Sequence, residues 1–274
     1  MSLASRLPYD HAYAGGYPGI GSQPLPTDAD ALDYLSRVKT ADGAGVEVGV
    51  ATAVNAFFRD TKAAGVFSAL KACCILAGAR TLAGALVPVV GDAPTNVANG
   101  FVSGDYSRTA GLTGDGTSYL DSGFAIDEPE NYHQCAYITT KPTVNTVFVG
   151  SDNASQQRYL LYSNVAADET RAISGQTGTP YFGGSGSLEA GFKGVLRASA
   201  SDFEARASAT TSSVSSAAGD ATSLNSFVFS NNLNGTSSGA GDAAIAFYSI
   251  GTSLSLEDLD TAVTNLITAI GEAL

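Results

Sequence analysis

The sequence predicts a mainly β fold: a sandwich or barrel of short strands, preceded by a small helical block and closed by a C-terminal helix. Three observations carry this. After Pro88, short runs rich in β-branched and aromatic residues recur, among them "SYLDSG", "HQCAYITT", "TVFVGS", "RYLLYSN", "GFKGVLRAS", "FEARAS", "SFVFSNN" and "AIAFYSIG". Each is bounded by Gly, Asn, Asp or Pro, and no helical stretch intervenes, which excludes a parallel α/β sheet. On either side of this region the apolar residues fall at steps of three and four instead.

In chain order, residues 1–27 read as an extended N-terminal arm. They carry Pro8, Pro18, Pro24 and Pro26, with Tyr9, Tyr13 and Tyr17 between them. The tyrosines have helical spacing, but Gly15, Gly16 and Pro18 oppose a helix. They pack either on a neighbouring subunit, as docking residues, or on the domain itself.

Residues 28–90 read as the helical block. Thr27 is positioned as an N-cap with Asp30 three residues on, and Ala31, Leu32, Leu35 and Val38 share the following face. A second helix is expected over 46–63, with Val46, Val50, Val54, Phe57 and Phe58 as its stripe and Gly65 as its break. A third, short helix is expected over 66–76, with Phe67, Leu70 and Cys74 on one side. Residues 91–274 then form the sandwich and its closing helix. Ser255 caps that helix, Leu256, Leu259, Val263, Leu266, Ile267 and Ile270 make its apolar stripe, and Gly271 is placed to end it.

Composition narrows the function. With 274 residues, 44% apolar and 15% charged, the chain is long and apolar enough to bury a full core. A formal net charge of -12 opposes a nucleic-acid partner. No run approaches the roughly 18 apolar residues of a membrane span, and the first residues lack an apolar leader segment, so the expectation is folding in a cytoplasm. Cys73, Cys74 and Cys135 have no metal-ligand spacing and are expected to be buried and reduced.

Motifs of catalysis are missing. A Ser-His-Asp arrangement would have to use His133, since the other histidine, His11, lies in the arm; no G-x-S-x-G accompanies it. Asp127, Glu128 and Glu130 group in "FAIDEPENYH", but the E-x-D-x-x-E spacing of sandwich glycosidases is absent and so is Trp. These features predict a protein that is not an enzyme. The glycine-rich stretch "GLTGDGTSYLDSGF", residues 111–124, lacks the Lys of a phosphate-binding loop and has too few acids for a calcium loop. It reads as a tight hairpin turn, with a weak cation site on Asp115 or Asp121 as the lesser reading and calcium as the only cofactor left open.

Two segments carry a resemblance. "SRTAGLTGDGTSYLDSGF" resembles the entry strands of laminin-G and concanavalin-like jelly rolls, and "AIAFYSIGTSLSLEDLDTAVTNLITAI" resembles their closing strand and final helix. With "CCILAGARTLAGALVPVVGDAPTN" and "GFKGVLRASASDFEARASATTSSVSSA", the pattern is similar to virion structural proteins of tailed bacteriophages, especially those of cyanobacterial hosts. The resemblance implies a jelly-roll sandwich and a non-enzymatic role on a virion, as a head decoration, spike, tail or fibre component. It also implies partners among other virion proteins and self-association, with a trimer expected. Its alternative is a lectin-like adsorption protein that binds host surface glycan. Rim-loop sites in the laminin-G relatives then point to Asp152, Asn153 and Asn231 as glycan ligands and to Asp115 as a cation ligand.

Overall fold

The computed structural model describes residues 26–97, 100–154, 157–175 and 181–274. Tyr9, Tyr13 and Tyr17 lie outside the described residues. Among the described residues the strands form two nine-stranded sheets, and the fold has three layers: helices, a first sheet and a second sheet.

The main path of the first sheet runs Thr210–Ser215, Asp202–Ala207, Gly191–Arg197, Tyr132–Thr140, Ala244–Gly251, Leu70–Ile75, Pro88–Val90. The second runs Tyr181–Phe182, Glu169–Gly175, Arg158–Asn164, Val147–Asp152, Asn225–Val228, Tyr119–Ala125, Thr95–Val97. Neighbours along both paths are antiparallel, whereas Asn231–Leu233 lies parallel to Val147–Asp152. The chain is therefore a mainly β sandwich of two sheets, as its strand runs predict.

Helices α1 (Ala29–Asp42), α2 (Val48–Ala63) and α4 (Leu256–Ala273) cover the outer face of the first sheet, with a short α3 (Leu82–Ala85) beside them. Phe57 and Phe58 of α2 and Leu259, Val263 and Ile270 of α4 meet Phe247 and Leu196 of the sheet in one apolar cluster. A second cluster, including Leu120, Phe148, Val149, Leu161, Val195 and Tyr248, fills the space between the sheets. The first sheet is thus buried on both faces. That is why all eight residues of Ala244–Gly251 are buried and its sequence is almost continuously apolar.

The same double burial overturns the third predicted helix. Residues 67–69 form a 3₁₀ turn and Leu70–Ile75 is a strand, paired with Ala244–Gly251 and Pro88–Val90. Cys73 and Ile75 face the helices while Ala72 and Cys74 face the second sheet, so the side chains have period two. With no polar face to reveal that period, the three- and four-residue spacing of Phe67, Leu70 and Cys74 imitates a helix. All three cysteines are free and buried, and burial pushes the thiols of Cys74 and Cys135 up to about 12.

Two helix ends also differ from expectation. Asp28, not Thr27, caps α1: its carboxylate accepts from the N–H of Asp30 at 3.0 Å and of Ala31 at 3.1 Å. An anion suits the positive end of the helix, and Lys62 of α2 pairs with it at 2.7 Å. Ser255 caps α4 as expected, but α4 continues through Gly271 to Ala273. Among the described residues no helix is long and apolar enough to cross a membrane.

Candidate functional site

The turn near residue 153 meets two segments that follow one another later in the chain, and together they border an open cleft of about 670 Å3. The first is the turn after Val147–Asp152. Asp152 is buried; its Oδ1 accepts from the N–H of Ala154 at 2.7 Å and its Oδ2 lies 3.0 Å from Nε of Arg158. This pins the turn, in which Ala154 takes a left-handed conformation, φ 59°. Asn153 and Gln157 close the turn through reciprocal bonds: the Asn153 N–H donates to the Gln157 carbonyl, and the Gln157 N–H to Asn153 Oδ1. Their side-chain amides also bond to each other at the cleft wall.

The second segment is the hairpin Asn231–Leu233 and Thr236–Ser238. Its two-residue turn, Asn234-Gly235, has φ of 50° and 87°, the geometry that Asn-Gly favours between twisted strands. The Asn234 N–H donates to the Asp152 carbonyl at 3.0 Å, which holds the Asn234 side chain beside Asn153 and Gln157 on the cleft. The third segment, residues 221–224, is tied to the crossing from Tyr119–Ala125 to Tyr132–Thr140 by a bond from the Thr222 N–H to the Ile126 carbonyl. Ala221, Thr222, Ser223, Leu224, Ala125 and Asp127 complete the lining. The cleft presents amides, hydroxyls and a single carboxylate, Asp127, set among a larger share of apolar surface. Such walls donate and accept neutral hydrogen bonds in several directions at once.

Of the sequence-predicted residues, the fold brings Asp152 and Asn153 together. Asn153 lines the cleft and Asp152 stands behind it as the residue that positions the turn. Asn231 lies on the neighbouring strand opposite Gly150, buried, with Oδ1 unpartnered among the described residues. Gln157, Asn234, Thr222 and Ser223 were not singled out by sequence reasoning; the Asn-Gly pair in "NNLNGTSS" is the one local signal that marks this hairpin.

Asp115 and Asp121 lie apart from the cleft. The loop of Asp115 is not a hairpin turn: it carries the chain from Gly111–Thr113 in the first sheet to Tyr119–Ala125 in the second. The glycines serve that crossing, since a Cβ on Gly114 would stand 2.0 Å from the Gly241 carbonyl oxygen and Gly116 has φ 82°. The Asp115 carboxylate accepts from the N–H and hydroxyl groups of both Thr117 and Ser118 at 2.6–3.0 Å. Burial alone would raise its pKa; the bonds from Ser118 and Thr117 outweigh it and hold the carboxyl at about 2. Asp121 accepts from the Gly123 N–H at 2.9 Å. Among the described residues no three His, Cys, Asp or Glu side chains converge as a metal site.

His133 sits within Tyr132–Thr140, fully buried, with Nδ1 2.6 Å from the Thr252 carbonyl and Nε2 2.5 Å from Ser249 Oγ. Burial presses its pKa down to about 4, so the ring is neutral at pH 7. Both ring nitrogens are engaged inside the protein, away from the cleft.

No family model and no curated protein matches the sequence. Solved structures with partial likeness include the Trypanosoma rangeli sialidase, at TM-score 0.48 and 11% identity over 79% of this chain and 39% of that one. The botulinum neurotoxin serotype D binding domain matches at 0.45 and 11%, over 72% and 51%. The CBM40 domain of the Ruminococcus gnavus IT-sialidase matches at 0.40 and 13%, over 51% and 85%. The chain spans 26% of the Streptococcus pneumoniae NanB sialidase that it also matches. At these scores and identities the likenesses assign neither family nor activity.

Proposed function

We propose that the protein is a non-enzymatic glycan-binding module whose site is the cleft bordered by Asn153, Gln157, residues 221–224 and Asn234. The observation that carries this reading is the convergence of Asn153, Gln157 and Asn234 amides with the Thr222 and Ser223 hydroxyls in one open cleft of about 670 Å3. The planar Asn234 amide pairs with neighbouring sugar hydroxyls as donor and acceptor at once, beside the mutually bonded Asn153 and Gln157, and Leu224 and Ala125 offer apolar contact for ring C–H groups. The sandwich supports them as a concanavalin-like jelly roll would support rim loops. The CBM40 domain has also been solved bound to α2,3-sialyllactose; our reading rests on the cleft chemistry and not on that likeness. A glycan array with the full chain tests it. We expect binding that falls at least tenfold in Asn234→Ala and Gln157→Ala; an array without binding removes the reading.

The virion role is a separate proposal supported by the sequence resemblance to phage structural proteins. Mass spectrometry of purified particles tests it: recovery of this chain in stoichiometric amount supports it, and its absence from the particles removes it.

A further inference from the structure

A second pocket, of about 190 Å3, adjoins the cleft, and the two share one wall, Asp127. Residues 126–131 cross from Tyr119–Ala125 in the second sheet to Tyr132–Thr140 in the first, and carry Asp127 exposed at the divide. The two halves differ in chemistry. The larger carries its amides and hydroxyls on a wall that is otherwise apolar, with Ala125, Ala221 and Leu224. The smaller has an apolar floor of half-buried Phe124 with Ile126 and Tyr132 beneath it, and a polar rim of Lys71, Asn131 and Thr252.

We infer that the two pockets are successive subsites for a linear, uncharged oligosaccharide laid across Asp127, which deepens and rests on the glycan-binding reading. A sugar ring has an apolar C–H face and a hydroxyl edge. The Phe124 ring suits the former and the Asn234 amide with the Ser223 hydroxyl suits the latter, so neighbouring units of one chain satisfy both halves. Charge selects against an anionic glycan. The larger cleft has no Lys, Arg or His among its described lining, and its single charge is the Asp127 carboxylate. A carboxylate or sulfate on the ligand would meet a like charge where an arginine clamp would be needed. In the smaller pocket Lys71 shares the space with Glu128 and donates to the Ser68 carbonyl at 3.0 Å, so its charge is not reserved for a ligand.

The test is an array of the full-length protein against neutral oligosaccharide ladders of increasing length and their sialylated or uronate-bearing counterparts, followed by titration of the best ladder. We expect at least a tenfold gain in affinity between the shortest and the longer members, and weaker binding of the anionic counterparts. Asn234→Ala and Phe124→Ala should each cut that length-dependent gain to less than threefold, since each disables one half. Phe124→Leu, which keeps an apolar side chain against the core but removes the ring face, should cut it too and provides the comparison if Phe124→Ala fails to fold. Equal affinity for all lengths, preference for the anionic glycans, or a gain untouched by either smaller-pocket variant overturns the inference and leaves glycan binding standing. No binding to any glycan removes both.

Discussion

Arg206 of the strand Asp202–Ala207 and Asp260 of α4 form an ion pair of 2.7 Å whose side chains keep only 9% and 11% of their surface exposed. Arg206 also donates to Thr211 Oγ1 at 2.9 Å, and Asp260 Oδ1 accepts from Thr264 at 3.0 Å. The pair fastens the closing helix to the sheet near its outer edge. Removing one partner strands a buried charge, so Asp260→Ala should lower stability by about 3 kcal/mol. Arg206→Met with Asp260→Leu should recover most of that loss, because an apolar pair leaves no charge behind. Urea unfolding of the three proteins measures it; equal midpoints for Asp260→Ala and the parent would show the pair to be inert.

Arg197 ties the two sheets together without any carboxylate among its hydrogen-bond partners. It is fully buried; Nε donates to Ser174 Oγ and Nη2 to the Ser174 carbonyl, both at 2.8 Å, while Nη1 reaches the carbonyls of Ser216, Asp202 and Ser199 at 2.8–3.3 Å. Tyr132 donates to the same Ser174 hydroxyl at 2.6 Å. Only a planar fork can meet carbonyls in so many directions. Arg197→Lys should therefore cost about 2 kcal/mol although the charge is kept, and Arg197→Met at least as much, because carbonyls are left unpaired in both. Thermal or urea unfolding reads both; a Lys variant as stable as the parent would show that charge alone suffices.

What was legible in the sequence follows from which faces see water. The stripe of α4 could be read because its opposite face is polar, and Leu256, Leu259, Val263, Leu266, Ile267 and Ile270 are all buried. "RYLLYSN" could be read because the strand alternates buried and half-buried residues. Leu70–Ile75 could not, since burial on both faces erases the alternation. The cleft was half legible. Asp152 and Asn153 stand in a turn that any loop scan would reach, but Asn234 and Thr222 join them only through long-range backbone bonds to Asp152 and Ile126. Asn, Ser and Thr between strands read as turn formers, and nothing local separates a turn from a wall. For Asp115 the acid was visible, but not the four donors of its own loop that occupy it.

His133 makes stability depend on acid. Its folded pKa is about 4 against an ordinary value near 6.5, depressed by burial. Below pH 6.5 the unfolded chain binds a proton that the folded one refuses, so the stability present above that pH is lost as pH falls toward 4. Between pH 7.5 and 5 the loss should be about 2 kcal/mol. Asp115, held at about 2, enters only below pH 4 and does not overlap this window. Urea midpoints across pH 7.5–5 should shift in the parent, and the His133→Asn variant should have a slope shallower by that amount. An unchanged slope would mean that the ring is protonated in the folded protein.

Lys193 gives the complementary dependence at the alkaline end. Lys193 is 1% exposed, and Asp260 and Glu189 are the carboxylates whose charge bears on it. Desolvation pulls its pKa down to about 8, against the weaker opposing pull of Asp260 and Glu189. Between pH 8 and the ordinary lysine value the unfolded chain holds a proton that the folded chain has released, so the contribution of this group rises with pH. The buried thiols of Cys74 and Cys135, which ionise only in the unfolded chain, contribute in the opposite sense. The expected gain from Lys193 alone between pH 8 and 10 is about 2 kcal/mol, read as the change in the difference between parent and variant. Lys193→Met removes the buried ammonium and keeps the chain length of its stem, so it should be more stable than the parent at pH 7, with the difference shrinking toward pH 10. Within the same range, ionisation of the buried thiols Cys74 and Cys135 and of the buried tyrosines, Tyr132 and Tyr159 among them, in the unfolded state works against both proteins alike and cancels in their difference. Paired urea titrations of parent and variant at pH 7, 8.5 and 10 read the effect, and a constant difference across the series would show that Lys193 keeps an ordinary pKa in the fold.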